Sequence, residues 1–224
     1  MTNNIKTENI AISIPDYATM PEQIALANAA KIAGFKHCTL VSESVSLALS
    51  YGFFRRKDMF GEDHNIRTVA FIDVGHSKTT ISFIRFSRRI FQILGHYSDR
   101  NLGIRNFDHE VMLHVGNKFA QKYKVDDPCK NIRCRLLLRD AIEKARKVLT
   151  ADKEAPIHID CLLDDEDLSE KIQRTEFEEI IAEKLKDLKV LFEKSLQAFE
   201  MKNPSELIHS IELVSDGTRI PSVQ

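Results

Sequence analysis

Thr68–Phe86 reads TVAFIDVGHSKTTISFIRF, and its punctuation decides the fold. Thr68 to Ile72 is a continuous apolar run of strand length, which predicts a buried strand. The run breaks off at Asp73, Val74 and Gly75, and a fresh alternating strand is predicted from Thr79 to Phe86. A third strand at Ile90–Leu94 makes the segment a meander with a tight glycine turn at its mouth. An aspartate at the carboxyl end of a buried strand, followed by a glycine turn, suits an anion: turn amides point at a phosphate while the carboxylate holds a metal-bound water. Taken alone the pattern is weak, because most Asp-x-Gly turns merely connect two strands.

Working outward, the N-terminal side predicts strand Asn9–Pro15, helix Met20–Ala33 with Pro21 in its first turn and Gly34 past its end, strand Cys38–Ser42, and helix Ser44–Phe54. The polar stretch Arg55–Arg67 predicts a surface connection and a boundary. On the C-terminal side helices are predicted at Asn106–Tyr123 and Cys134–Thr150, then a strand at Pro156–Leu163. A long helix follows, opened by a capping-box pattern at Thr175 and Glu178, with Phe177, Ile181, Leu185, Leu188, Phe192, Leu196 and Phe199 on one core-facing stripe. A last strand, Ile208–Val214, runs into the loop Ser215–Pro221.

With 224 residues and 43% apolar content the chain can bury a real core. Its 32 basic and 33 acidic residues nearly cancel, so no single-sign field argues for nucleic acid or an anionic membrane as partner. No apolar run approaches the ~20 residues of a membrane helix, and Met1–Glu8 lacks a signal-peptide pattern, so a cytoplasmic location is expected. Cys38, Cys129, Cys134 and Cys161 are too irregularly spaced for a disulfide framework, and the scattered histidines offer no zinc spacing.

On the helix Cys134–Thr150, the residues Arg139, Glu143, Arg146, Lys147 and Thr150 share a polar stripe opposite Leu138, Ala141, Ile142, Ala145, Val148 and Leu149. That stripe is either a solvated face with a Glu143–Lys147 pair worth ~0.3–0.5 kcal/mol, or a platform in which a carboxylate takes ribose hydroxyls and cations flank a base.

The ordered blocks IAISIPDY, IAGF, VSESVSLALSYG, FIDVGHSKTTIS, NLGIRNFD, IEKARKVLT, FEEI and LVSDGTRIP resemble the nucleotide-binding domain of the seventy-kilodalton heat-shock proteins. Gly-His-Ser at Gly75–Ser77 is similar to the large, one-hundred-and-ten-kilodalton branch, whose members act chiefly as nucleotide-exchange factors and holdases for the ordinary chaperone. The resemblance implies an α/β actin-like ATPase (ribonuclease H-like) fold. Residues 1–66 would be the remaining part of lobe I, 67–102 the lobe II sheet, 103–180 its helical subdomain, and 181–224 the return to that sheet.

It implies ATP or ADP with magnesium as cofactor, an ordinary heat-shock chaperone and unfolded clients as partners, and no nucleic acid or membrane. Glu43 takes the place of the carboxylate near the attacking water, and Asp73 that of the magnesium-water aspartate. Gly75, His76, Ser77 and Lys78 fall in the second phosphate loop, and Gly103 and Arg105 where a loop approaches the nucleotide. Glu143, Arg146, Lys147 and Thr150 match the adenosine platform, and Gly217, Arg219 and Ile220 the adenosine loop.

The chain also departs from the family pattern. Thr80 stands for a second aspartate, Ile104 for a glycine, and Ser215 and Asp216 for two glycines. Side chains in positive-φ positions cost up to ~1–2 kcal/mol each. An aspartate facing phosphate at ~4 Å would cost about 1 kcal/mol in water and about 4 near a protein surface. No equivalent of the family's first phosphate loop, Asp-x-Gly-Thr hairpin and catalytic lysine is found, so no useful ATPase is expected of these residues alone. A strand edge left unpaired at Asn9–Ile14 and Cys38–Ser42 is expected for the same reason. Two alternatives remain open: a nucleotide-free scaffold, and an actin-like or sugar-kinase member of the broader fold.

Overall fold

A computed structural model describes residues 7–55, 66–88 and 90–224. Most of the predicted connection Arg55–Arg67 lies outside them. Residues cluster into two compact units: Met1–Ala70, Ser82–Tyr97 and Phe199–Ile211 form one, and Phe71–Ile81, Ser98–Ala198 and Glu212–Gln224 the other.

The first unit opens with β1 (Asn9–Ile14), α1 (Met20–Ile32), β2 (His37–Ser42) and α2 (Glu43–Phe54). β1 and β2 pair in parallel, Asn9 opposite His37 through Ile14 opposite Ser42, and among the described residues each has only the other as neighbour. At the start of α1 the Glu22 carboxylate accepts from the Thr19 N–H at 2.7 Å and its hydroxyl at 2.9 Å. At its end Gly34, at φ +96°, lets Phe35 N–H reach Ala30 O and Gly34 N–H reach Lys31 O, a Schellman closure that a side chain at this position would strain. Ser42 caps α2 by accepting from Val45 N–H, and Asp16 accepts from Ser44 N–H at 3.0 Å.

A four-stranded sheet, with strands contributing residues to both units, has the order β5 (Phe91–Asp99), β4 (Thr79–Phe86), β3 (Arg67–Val74), β8 (Ile208–Val214). The apolar run of β3 makes sense of this order. Val69, Ala70, Phe71 and Val74 on β3 and Ile81, Phe83, Ile84 and Phe86 on β4 are all buried, as central strands require. β5 extends past the predicted Leu94 to Asp99. In the first unit, Phe83 stacks on Phe199 at 4.2 Å between centroids.

The second unit is built on α3 (Ile104–Tyr123) and α4 (Ile132–Leu149), backed by the antiparallel hairpin β6 (Glu154–Leu163) and β7 (Glu166–Gln173). Asn131 caps α4 through its side-chain oxygen, accepting from Arg133 N–H and Cys134 N–H. Phe107, Val111, Leu138, Ile142, Ile157 and Leu168 lie in one buried cluster. All four cysteines are free.

Four expectations need correction. β7 was not foreseen. Val148, placed on the apolar face of α4, is exposed at 37%, while Arg146, placed on the polar face, is buried at 5%. The capping box at Thr175 and Glu178 does not form: the cap position lies two residues earlier, at Gln173 directly off β7, with no side-chain cap bond. Arg174 supplies the anchor instead, its guanidinium donating to Leu149 O and Asp152 O. Finally, the single long helix is two, α5 (Arg174–Ile180) and α6 (Ala182–Lys202). The break is confined to Ile181, and the Ile181 N–H to Phe177 O and Leu185 N–H to Ile181 O bonds run on across it.

Candidate functional site

In the second unit three backbone segments meet at the carboxyl end of β3. Gly75 N–H donates to Lys78 O at 2.9 Å, closing the turn after Asp73 and Val74. The first turn of α3 docks onto it: Ile104 N–H donates to Gly75 O at 3.0 Å and Arg105 N–H to His76 O at 2.9 Å. Two amides of the helix N-terminus are thereby satisfied by the turn. Gly103 makes this approach possible, since a Cβ there would stand 2.7 Å from His76 O, Lys78 N and Ser77 C. Thr79 Oγ1 donates to Leu102 O at 2.8 Å and fixes the same junction from below.

The third segment is the 3-10 turn Asp216–Arg219 that follows β8. A Cβ on Gly217 would stand 2.4 Å from Val74 O, so only glycine allows this backbone to lie against the end of β3. Asp73 is half-buried at that end, and its Oδ1 is shielded from solvent, 3.9 Å from the Cβ position of Gly75. The predicted residues Asp73, Gly75, His76, Ser77, Lys78, Gly103, Arg105 and Gly217 therefore share one neighbourhood.

Glu143 reaches the same neighbourhood from α4. With His76, Arg105 and Asp108 it lines a groove of about 750 Å³, within the range of small-molecule sites. Glu143 accepts from Lys147 Nζ at 2.6 Å, and this bond first, helped by Arg146 and His76, holds its carboxyl below the ordinary glutamate range. Arg146 is turned inward, its Nε donating to Asp108 Oδ1 at 2.7 Å with both residues at 5% exposure. Burial pushes the Asp108 carboxyl upward, against the opposing pull of Arg146.

Other predicted residues are not among those lining this groove. Lys147 is exposed, and Thr150 is half-buried, its hydroxyl donating to Lys147 O. Arg219 is exposed with its Nε 3.6 Å from Asp216 Oδ1, and Ile220 is buried in the core cluster of the second unit. Glu43 belongs to the first unit, where it is the half-buried first residue of α2. Sequence reasoning missed Asp108, His109 and Arg135 as groove residues; their spacing on the faces of α3 and α4 was available, but not the pairing of those faces.

The departures resolve individually. Ile104 is buried at 4% as the first helical residue of α3, so its side chain is accommodated. Asp216 is not among the positive-φ residues, whereas Ser215 is, at φ 74° and ψ 174°.

The Hsp70 protein family model matches residues 2–224. The chain is 36% identical over 220 residues to heat shock 70 kDa protein 14 of Arabidopsis thaliana, covering 98% of this chain and 26% of that protein. It is 34% identical to the 97 kDa heat shock protein of Mesocentrotus franciscanus, covering 98% and 24%, and 32% identical to heat shock protein 88 of Dictyostelium discoideum, covering 99% and 28%. The chain belongs to the Hsp70 family, and its resemblance is to the large branch. Its α/β architecture is that of the actin-like ATPase fold. It spans about a quarter of the length of these relatives.

Proposed function

We propose that this chain is the nucleotide-binding part of a large-branch Hsp70 chaperone, and that it holds ATP or ADP with magnesium at the end of β3. The observation that carries this reading is the convergence of the Gly75–Lys78 turn, Gly103 and Gly217 beside Asp73, with Glu143 on the same groove. The donor set fits the group: a strand-end carboxylate beside a glycine turn suits a hydrated magnesium ion, and backbone amides suit phosphate oxygens. Asp73 would hold the metal through water, and the metal would neutralise phosphate charge. Ser77 and Lys78 would flank the phosphates. Glu143 would accept from ribose hydroxyls once Lys147 yields, and Gly217, Arg219 and Ile220 would border the adenosine.

In the same reading residues 1–66 belong to lobe I and Glu43 acts near the attacking water, while 67–102, 103–180 and 181–224 form the sheet, helical subdomain and return of lobe II. The full-length protein would be a cytoplasmic nucleotide-exchange factor and holdase for an ordinary Hsp70, and would engage unfolded clients.

Calorimetric titration with Mg-ADP tests the reading. Micromolar binding that Asp73→Ala weakens at least about tenfold supports it; absence of binding favours a nucleotide-free scaffold. That second reading draws on Ser215 at positive φ and on the pairing of Glu143 with Lys147 and Arg146 with Asp108.

A further inference from the structure

The charges at the end of β3 suit phosphate oxygens better than they suit a metal ion. Asp73 is the one acidic residue of the turn, since no other follows before Asp99. β4 opens with Thr79 and Thr80, both buried, and the Thr79 hydroxyl is committed to Leu102 O at 2.8 Å. The nearby carboxylates Asp108, Glu143 and Asp216 each have a cation of their own: Arg146 at 2.7 Å, Lys147 at 2.6 Å and Arg219 at 3.6 Å. Against Asp73 stand two cations on backbone that the site itself fixes. Lys78 closes the turn, its carbonyl accepting from Gly75 N–H at 2.9 Å, and Arg105 sits in the first turn of α3, its N–H donating to His76 O at 2.9 Å. Among the described residues Arg105 forms no ion pair, and it lines the groove beside His76.

Magnesium is held through one or two carboxylates together with substrate phosphates, and Asp73 alone is the minimum of that set. Two cations beside a glycine turn make charge-assisted hydrogen bonds to phosphate oxygens directly. They thereby do from the protein side part of the charge neutralisation that a metal ion supplies. Resting on the nucleotide reading above, we propose that Lys78 and Arg105 let this site bind the diphosphate of ADP without magnesium. Metal held through Asp73 strengthens that binding and is not required for it.

The test is calorimetric titration of the 224-residue chain with ADP in excess magnesium and, separately, in EDTA. The unmodified chain should bind in both media, about tenfold more weakly in EDTA. Asp73→Ala should bring the two affinities together. Lys78→Gln and Arg105→Gln should each weaken binding about tenfold in EDTA and less in magnesium, whereas Lys78→Arg, which keeps the charge, should stay close to the unmodified chain. Lys144→Gln removes an exposed charge of α4 that lines a different groove and should change neither affinity. Circular dichroism verifies folding of the variants. Binding in magnesium that vanishes in EDTA would overturn the proposal and leave the nucleotide reading intact. Equal losses in both media from Lys78→Gln and Arg105→Gln would also overturn it, because they would mark a structural role. Absence of binding in both media defeats the nucleotide reading and this proposal with it.

Discussion

The segment Asn9–Phe54 and the segment Ile104–Gln173 are equally well punctuated, yet they bury very different amounts. In the first, Thr19 and Glu22 start α1, Gly34 closes it and Ser42 caps α2. Only Ile14, Ala30 and Ala48 among its apolar residues are buried, while Ile24, Ile32, Leu49 and Phe53 are 53–88% exposed. In the second, Asn131 caps α4, and Phe107, Leu138, Ile142, Ile157, Leu162 and Leu168 are at most 1% exposed. Caps and turns set where an element begins and ends. Stability comes from a second layer against its apolar face, and a two-stranded sheet supplies little of one.

The contrast breaks most directly at the core of the second segment. Phe107→Ala should cost about 3–5 kcal/mol, whereas Leu49→Ala, at a side chain 55% exposed, should stay within about 0.5 kcal/mol. Urea unfolding of both variants measures this, and comparable losses would mean that α2 has a packed face of its own. Asp108→Ala should cost nearly as much, about 3–5 kcal/mol, because it strands the buried Arg146 cation. The paired replacement Asp108→Leu with Arg146→Met should recover most of that loss, since apolar groups of similar size need no partner.

Within the first unit a polar tie centred on Glu206 sharpens the comparison. Glu206 accepts from Arg85 Nε at 3.0 Å and from its Nη2, and from the hydroxyl of the fully buried Thr68. The Arg85 bond, with smaller help from Thr68, holds the Glu206 carboxyl below the ordinary glutamate range. A depressed folded value means that this stabilisation is present above the unfolded pKa of about 4.3 and disappears as pH falls through the folded value. Glu206→Gln should cost about 1.5–3 kcal/mol at neutral pH and flatten the acid limb of a stability-against-pH curve. An unchanged acid limb would place the sensitivity elsewhere.

How far the sequence could be read follows from the range of each signal. β3, β4, α1 and β8 were legible because apolar runs, proline, glycine and alternation act within a few residues. β7 was not: it offers only Leu168 and Ile172 as buried residues, and its turn, Asp164 and Asp165 at φ 52° and 62°, uses aspartates where Asn-Gly would have announced a hairpin. Asp73 and Gly75 were legible as a strand-end acid with a glycine turn and Gly217 through block order, while the mutual approach of their backbones was invisible beforehand. The inward turn of Arg146 depends on Asp108 of another helix, a contact that no single-helix pattern carries.

Ser215 gives the smallest effect. At φ 74° and ψ 174° it occupies a region open essentially only to glycine, where a side chain costs roughly 1–3 kcal/mol. The hydroxyl donates to Val214 O, but that bond closes over a single residue and does not remove the Cβ conflict. Ser215→Gly relieves the strain and returns about 0.5–1 kcal/mol as extra entropy of the unfolded chain, leaving a net gain of about 1 kcal/mol. Ser215→Ala keeps the Cβ and loses the hydroxyl, so it should gain nothing. Thermal unfolding of both separates conformation from hydrogen bonding: a stabilised alanine variant would show that the hydroxyl, and not the backbone angle, strains the loop beside Gly217.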